Sequence, residues 1–157
     1  MSTKITRAEP RDLSMIEPLW RELSQFHANL GPMFDLAPDA AEHWRPFMAN
    51  CLEDPDWCVL LAQVDGLAAG FISGAVQSAP PVFRQDRYGL VSDAIVTARV
   101  RRQGIGTLLY QSLAQWFKEI RVTNVNLSAA VANPGAVAFW HKMGFADSMI
   151  RMWTEVK

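Results

Sequence analysis

Apolar residues recur three and four apart at Leu13, Ile16, Leu19, Trp20, Leu23 and Phe26. That spacing predicts an amphipathic helix, opened by Pro10 and Asp12 and stopped by Gly31-Pro32. Ahead of it, Ile5-Thr6-Arg7-Ala8 reads as a short strand. Trp44, Phe47, Met48 and Leu52 mark a second helix, capped by Asp39 and ended before Asp54-Pro55. Trp57 to Val64 and Leu67 to Val76 read as strands. They are joined by Asp65-Gly66, a hairpin turn whose two central residues both take positive φ. Ser78-Ala79-Pro80-Pro81 ends the second of them, and a polar loop with Arg84, Asp86 and Arg87 leads to a strand over Tyr88 to Thr97.

The longest helical stripe is Ile105, Leu108, Leu109, Leu113, Trp116, Phe117 and Ile120, which places a helix over Gly104 to Glu119. Val122 to Val131 alternates as a strand, with Val125, Leu127 and Ala129 on one face and Asn124, Asn126 and Ser128 on the other. Asn133-Pro134 opens a last helix to Met143, terminated by Gly144, and a final strand is expected over Ala146 to Val156. The order β-αα-β-β-β-α-β-α-β predicts an α/β protein whose mixed sheet carries helices on both faces. No repeat or linker interrupts it, so residues 1–157 form one domain.

A chain of 157 residues suits that reading. Lys+Arg 15 against Asp+Glu 16 leaves a net charge of -1, which gives no bulk attraction to nucleic acid or an anionic membrane. No apolar run approaches the roughly 20 residues of a membrane span. The first residues, Met1 to Arg7, alternate polar and apolar without the core of a signal peptide, and the expected location is the cytoplasm. Cys51 and Cys58 have no companions at zinc spacing and read as two buried, reduced thiols. His27, His43 and His141 are scattered and form no metal constellation.

Chemistry concentrates in Ala94 to Thr107, where a strand runs through a basic, glycine-containing turn into a helix. The first amides of that helix lack internal partners and sit at the positive end of its dipole. Gly104 and Gly106 let an anion approach the backbone, and Arg99, Arg101 and Arg102 add charge. The plainer alternative is a helix start with a solvated arginine face. A phosphate loop of the Walker type fails because no Lys follows the glycines. A dinucleotide fingerprint fails at Leu109, where a third Gly is needed.

The run resembles the [RQ]-x-x-G-x-[GA] signature of the GNAT superfamily of N-acetyltransferases, met by Arg101, Gly104 and Gly106. A second stretch, Asn133 to Phe145, is similar to the family's N-x-x-A-x-x-[FL]-[YW]-x-x-x-G-F element, and the order of elements matches along essentially the whole chain. The resemblance implies a GNAT fold with a splayed central strand pair and acetyl-CoA as acyl donor, with no metal. It places the pyrophosphate on the backbone of Arg102, Gln103, Gly104, Ile105, Gly106 and Thr107, with Arg101 beside them. It pairs the pantetheine arm with the strand at Ala94, Ile95 and Val96. Ala136 and Trp140 would border the slot, and Asn133 would cap the last helix and could also reach the pantetheine.

The implied reaction is direct transfer of acetyl from the thioester to a primary amine of a small molecule or protein. An alkylammonium, with a pKa of about 10, must first lose a proton. The resemblance assigns the Val96 amide to the oxyanion. Asp93 is the nearest carboxylate for a base, acting through water, or else a structural carboxylate paired with an arginine. Ser92 stands where many members carry a glutamate, and Trp140 where they often carry a tyrosine acid. An indole gives up no proton, so Trp140 can only wall the slot. Tyr88 and Tyr110 are the sole tyrosines; Tyr88 lies too far along its strand, Tyr110 on the helix beyond the pyrophosphate, and His141 reads as a surface residue. Residues 27–60 hold Asp35, Asp39, Glu42, Glu53, Asp54 and Asp56 against Arg45 alone, which either attracts a cationic acceptor or forms solvated faces and caps. Phe34, His43, Trp44 and Phe47 read as pocket or core. A catalytically impaired acyl-CoA-binding sensor or interaction module is the alternative function, and the strand edges with the tail around Met149 to Trp153 read either as a homodimer contact or as the finish of the core.

Overall fold

In the computed structural model, which describes residues 2–157, five strands form one sheet in the order β1-β2-β3-β4-β5. They are β1 (Thr3–Arg7), β2 (Trp57–Val64), β3 (Leu67–Ser78), β4 (Arg87–Val96) and β5 (Val125–Asn126). The helices are α1 (Leu13–Ala28), α2 (Ala40–Glu53), α3 (Ile105–Glu119) and α4 (Pro134–Lys142). The first four strands pair antiparallel, and β5 joins β4 in parallel. At the β2–β3 turn Asp65 and Gly66 take φ of 50° and 83°, the left-handed pair that the turn requires.

The alternation of β2 divides the core. Cys58, Leu60, Ala62 and Val64 pack under α3 with Leu109, Leu113 and Phe117. Val59 and Leu61 face α1 and α2, meeting Ile16, Leu19, Leu23, Trp44 and Met48. Both faces of the strand are covered, so each buried Val, Leu, Ile, Phe or Met side chain contributes roughly 1.5–3 kcal/mol. Cys51 and Cys58 are buried free thiols, and burial pushes each up to about 11.

Two expected strands differ. Of Val122 to Val131 only Val125–Asn126 pairs, Gly89 opposite Val125 and Leu90 opposite Asn126. The backbone then leaves β4, so the alternating pattern beyond Asn126 persists without a hydrogen-bonded neighbour. Residues 146–157 form no strand. Their apolar residues fall as the doublets Met149-Ile150 and Met152-Trp153, which cannot segregate to one face of a period-two element. Met149, Ile150 and Met152 are 92%, 80% and 84% exposed.

Among the described residues no helix is long and apolar enough to cross a membrane. Among the described residues, no group of three or more His, Cys, Asp or Glu side chains is placed to hold a metal ion.

Candidate active site

The separation of β4 from the chain after β5 opens a slot of about 100 Å³. Ser92, Asp93 and Ala94 of β4 line one side. Ser128, Ala130 and Asn133 line the other, with Ala136 and Trp140 of α4 behind them. Leu23 and His27 of α1 complete the wall.

A bulge sets which side chains of β4 meet the slot. Asp93 pairs with Ser73, but Val91 pairs with the next residue, Gly74, so Ser92 is the extra residue. In a straight strand with Ser92 in register, Val91, Asp93 and Ile95 would share a face. Instead Val91, Ala94 and Val96 all pack in the layer under α3, while Ile95 packs with α1 and α2. Asp93 takes the Ile95 side, near enough to α2 for its charge to raise the Cys51 thiol. Its N–H donates to Ser73 Oγ at 3.1 Å. Burial pushes its carboxyl above the usual range, and among the described residues no arginine pairs with it. Ser92 is exposed.

The peptide edge of β4 is the second feature. Thr97 N–H donates to Ala69 O on β3 at 2.8 Å. By alternation, the peptide groups of Ala94 and Val96 point away from β3, toward the open side. Pairing with β5 stops at Leu90, so among the described residues no strand pairs with this edge, although Val96 O accepts from Arg101. Ile95, buried at 8% exposure, presents its side chain to the α1–α2 core instead.

Beyond Val96 the chain turns through Arg101, Arg102 and Gln103 into Gly104, which caps α3 with φ 79°. Arg102 also takes a left-handed φ, 64°. Such alternation turns successive N–H groups toward one concavity, the arrangement that receives anions. The first amides of α3, from Ile105, Gly106 and Thr107, open onto the same end of the helix. A Cβ at Gly106 would meet Phe139 at 3.4 Å and Val96 Cγ2 at 3.7 Å, so the helix start abuts both β4 and α4.

The arginines divide. Arg101 folds back, donating from Nε to Val96 O at 2.9 Å, with its guanidinium 3.6 Å from Glu22. Arg99 donates to Ala68 O at 3.2 Å. Both staple the turn to the sheet. Arg102 is exposed and makes no side-chain hydrogen bond or ion pair among the described residues.

On the far wall, Asn133 Oδ1 accepts from Ala136 N–H at 3.1 Å and caps α4. The cap uses its oxygen and leaves its NH₂ without a partner among the described residues. Trp140, 9% exposed, is held edge-on by Tyr110 at 5.6 Å and Phe145 at 5.4 Å. Tyr110 therefore backs Trp140 and does not line the slot. His141 is a surface residue bonded to Asp147 at 2.6 Å.

Residues of the acidic stretch are partly spent on local pairs. Asp39 meets His43 at 2.8 Å, Asp54 accepts from the Asp56 N–H, and Arg45 pairs with Glu17. Phe34, His43, Trp44 and Phe47 are not gathered. Trp44 stacks on Trp20 at 4.7 Å, Phe47 meets Trp57 edge-on, and Phe34 stacks on His27 at 5.3 Å. A separate cavity of about 510 Å³ between α1 and α2 is lined by acids and bases together, Asp39 and Glu42 with Arg21 and Arg45.

The sequence model of the Acetyltransferase (GNAT) family matches residues 17–145, from within α1 to just past α4. The chain belongs to the GNAT acetyltransferase family. No curated protein gives a significant match by sequence. Solved structures share the GNAT fold at low identity. A mutant of a Bacillus halodurans protein has TM-score 0.82 at 19% identity, covering 98% of this chain and 99% of its own. A predicted acetyltransferase with acetyl-CoA from Clostridium acetobutylicum has TM-score 0.76 at 19% identity, covering 99% and 96%. An aminoglycoside acetyltransferase from an uncultured soil metagenomic sample has TM-score 0.73 at 19% identity, covering 99% and 97%.

His27 is the slot residue that motif reading passes over. It continues the α1 stripe at four residues from Leu23, and that spacing is the signal that points it inward.

Proposed function

We propose that this GNAT protein is an acetyl-CoA-dependent N-acetyltransferase that passes acetyl directly from the thioester to a primary amine of a small molecule or protein. The observation that carries the reading is the strand edge at Ala94 and Val96, which no neighbouring strand pairs among the described residues, running straight into the turn and the open amides at 102–107. An amide-bearing arm ending in a diphosphate has the same order of groups. In this reading the amides of Arg102 to Thr107 and the free guanidinium of Arg102 hold the diphosphate. Arg101 serves by fixing the turn. Ala94, Ile95 and Val96 supply the strand edge, and Ala136 and Trp140 enclose the thioester end. The free NH₂ of Asn133 can donate to an amide carbonyl of the arm.

Val96 N–H lies at the end of that edge and is assigned to the developing oxyanion. Such a donor is worth roughly 3–4 kcal/mol when preorganised. Asp93 is the carboxylate that meets an incoming ammonium and holds it by its charge. Trp140 donates no proton to sulfur, but a thiolate with a pKa near 8.5 leaves and is protonated by water. The exposed apolar tail around Met149 to Trp153 supports a homodimer.

Calorimetry with coenzyme A, followed by thiol release with acetyl-CoA and a panel of amines (spermidine, an aminoglycoside, a lysine peptide), tests the reading. Uptake with turnover is expected. Uptake without turnover across the panel would favour the acyl-CoA sensor, for which the absence of a hydroxyl at Trp140 speaks. No uptake removes both.

A further inference from the structure

We infer that His27 is a further catalytic residue of this slot, the neutral base that takes the proton from the acceptor's ammonium group. The inference rests on the acetyltransferase reading above and deepens it. His27 reaches the slot from α1, and Asp93 reaches it from β4. They are the two titratable groups in its lining.

Three observations single out His27. It stands in the same cavity wall as Asp93, Ala94 and Trp140, where an acceptor nitrogen must come to reach a thioester held along β4. Its ring is clamped flat on Phe34 at 5.3 Å with 25° between planes, which fixes its orientation without using a ring nitrogen. His43 and His141 are each bonded to an aspartate, whereas among the described residues neither nitrogen of His27 has a partner. A half-buried imidazole with both nitrogens free, facing a polar slot, has capacity to spare for a ligand proton.

The electrostatic setting agrees. Burial lowers the His27 pKa and raises that of Asp93, and in neither case does a neighbouring charge contribute. From β4 the one charged group in the wall is Asp93. The Phe34 turn (Pro32–Phe34) has no charged residue, and the wall after β5 and α4 gives Asn133, Ala136 and Trp140. At one turn's spacing on α1 stand Leu23 and Ser24, both uncharged. His27 is therefore unprotonated at neutral pH and ready to accept. A base works best when its pKa lies near the operating pH, which favours an imidazole over a carboxylate. Asp93 then holds the ammonium by charge.

The protons balance. The ammonium gives one proton to His27 and its freed lone pair attacks the carbonyl carbon. The new C–N bond forms as the C=O electron pair moves to oxygen, facing the Val96 amide. Collapse restores C=O and breaks C–S. The second nitrogen-bound proton passes through water to the departing sulfur, and His27 returns its proton to solvent.

The test compares the wild-type protein with H27Q and H27A at pH 6–10, using acetyl-CoA and whichever panel amine is turned over. At pH 7, kcat/KM of H27Q should fall at least 100-fold with coenzyme A affinity unchanged. The deficit should shrink toward pH 10, where the amine deprotonates without help, and added imidazole should restore H27A. In the histidine NMR spectrum of the wild-type protein, the resonance missing from H27Q should titrate below the ordinary range and move on adding coenzyme A. Wild-type rates in H27Q, a deficit that does not vary with pH, or a His27 signal indifferent to coenzyme A would each overturn the inference while leaving the acetyltransferase reading intact. Absence of turnover or of coenzyme A uptake by the wild-type protein would overturn both.

Discussion

Gly70 on β3 lies opposite Val96 on β4, and a Cβ built on Gly70 would come within 2.5 Å of the Ile95 carbonyl oxygen. A backbone atom cannot swing aside as a side chain can. Gly70→Ala must therefore push the end of β4 away from β3, at the residues whose peptide edge faces the slot. We expect Gly70→Ala to lose roughly 1–3 kcal/mol in urea denaturation, the usual cost of overpacking. Coenzyme A affinity by calorimetry should fall with it. A variant of unchanged affinity would show that the β4 edge at Val96 is not used.

Asn133 separates cap from ligand contact by its two side-chain atoms. Its Oδ1 caps α4 through Ala136, while its NH₂ is free for the slot. Asn133→Ala should cost about 1 kcal/mol of stability through the lost cap. Asn133→Asp keeps the capping oxygen and removes the donor, so thermal stability should hold while coenzyme A binding weakens. Equal affinity in Asn133→Asp and wild type would confine Asn133 to capping.

Much of this was legible in the chain. Trp57 to Val64 and the Asp65-Gly66 turn follow from alternation and turn chemistry alone, and the strand falls on the expected residues. The helix stripes likewise put Leu109, Leu113 and Phe117 inward. What escaped depended on partners distant in sequence. Alternation over Val122 to Val131 says which side chains share a face, not whether a neighbouring strand stays within hydrogen-bond reach, and here it does so for two residues. The Ser92 bulge reverses the parity that a straight strand would give, so the direction of Asp93 could not be counted from Val91 and the start of the strand. The arginines carried charge suited to an anion, but Glu22, distant in sequence, together with the nearby Val96 carbonyl turns Arg101 back.

Asp93 gives a pH signature. Burial raises its folded pKa above the 3.8 of the free carboxyl, so the folded state keeps this proton to a higher pH than the unfolded chain. The group's contribution is complete below 3.8 and is lost as pH rises through the folded value. Asp93→Asn keeps an uncharged form at every pH. Its melting temperature should exceed that of wild type at pH 7 and match it near pH 3. Its coenzyme A affinity should be unchanged and its turnover reduced. A melting temperature below wild type at pH 7 would mean that the charged carboxylate is held by a partner.

The C-terminal segment supplies the last expectation. Met149, Ile150, Met152 and Val156 are at least 80% exposed, and Trp153 is 57% exposed, so within one protomer they bury little. Removing residues 149–157 should then shift the melting temperature of a dilute sample by only a few degrees, since roughly 1 kcal/mol moves a domain of this size by about 2–4 °C. The cut spares the His141–Asp147 pair. Large apolar side chains clustered on a surface favour association, because water gains when a partner covers them. The full chain should therefore run as a dimer whose population rises with concentration in light-scattering chromatography, and the truncated chain as a monomer. A truncated protein that still dimerises would move the contact elsewhere, whereas one that unfolds while dilute would mean that the segment packs within its own protomer.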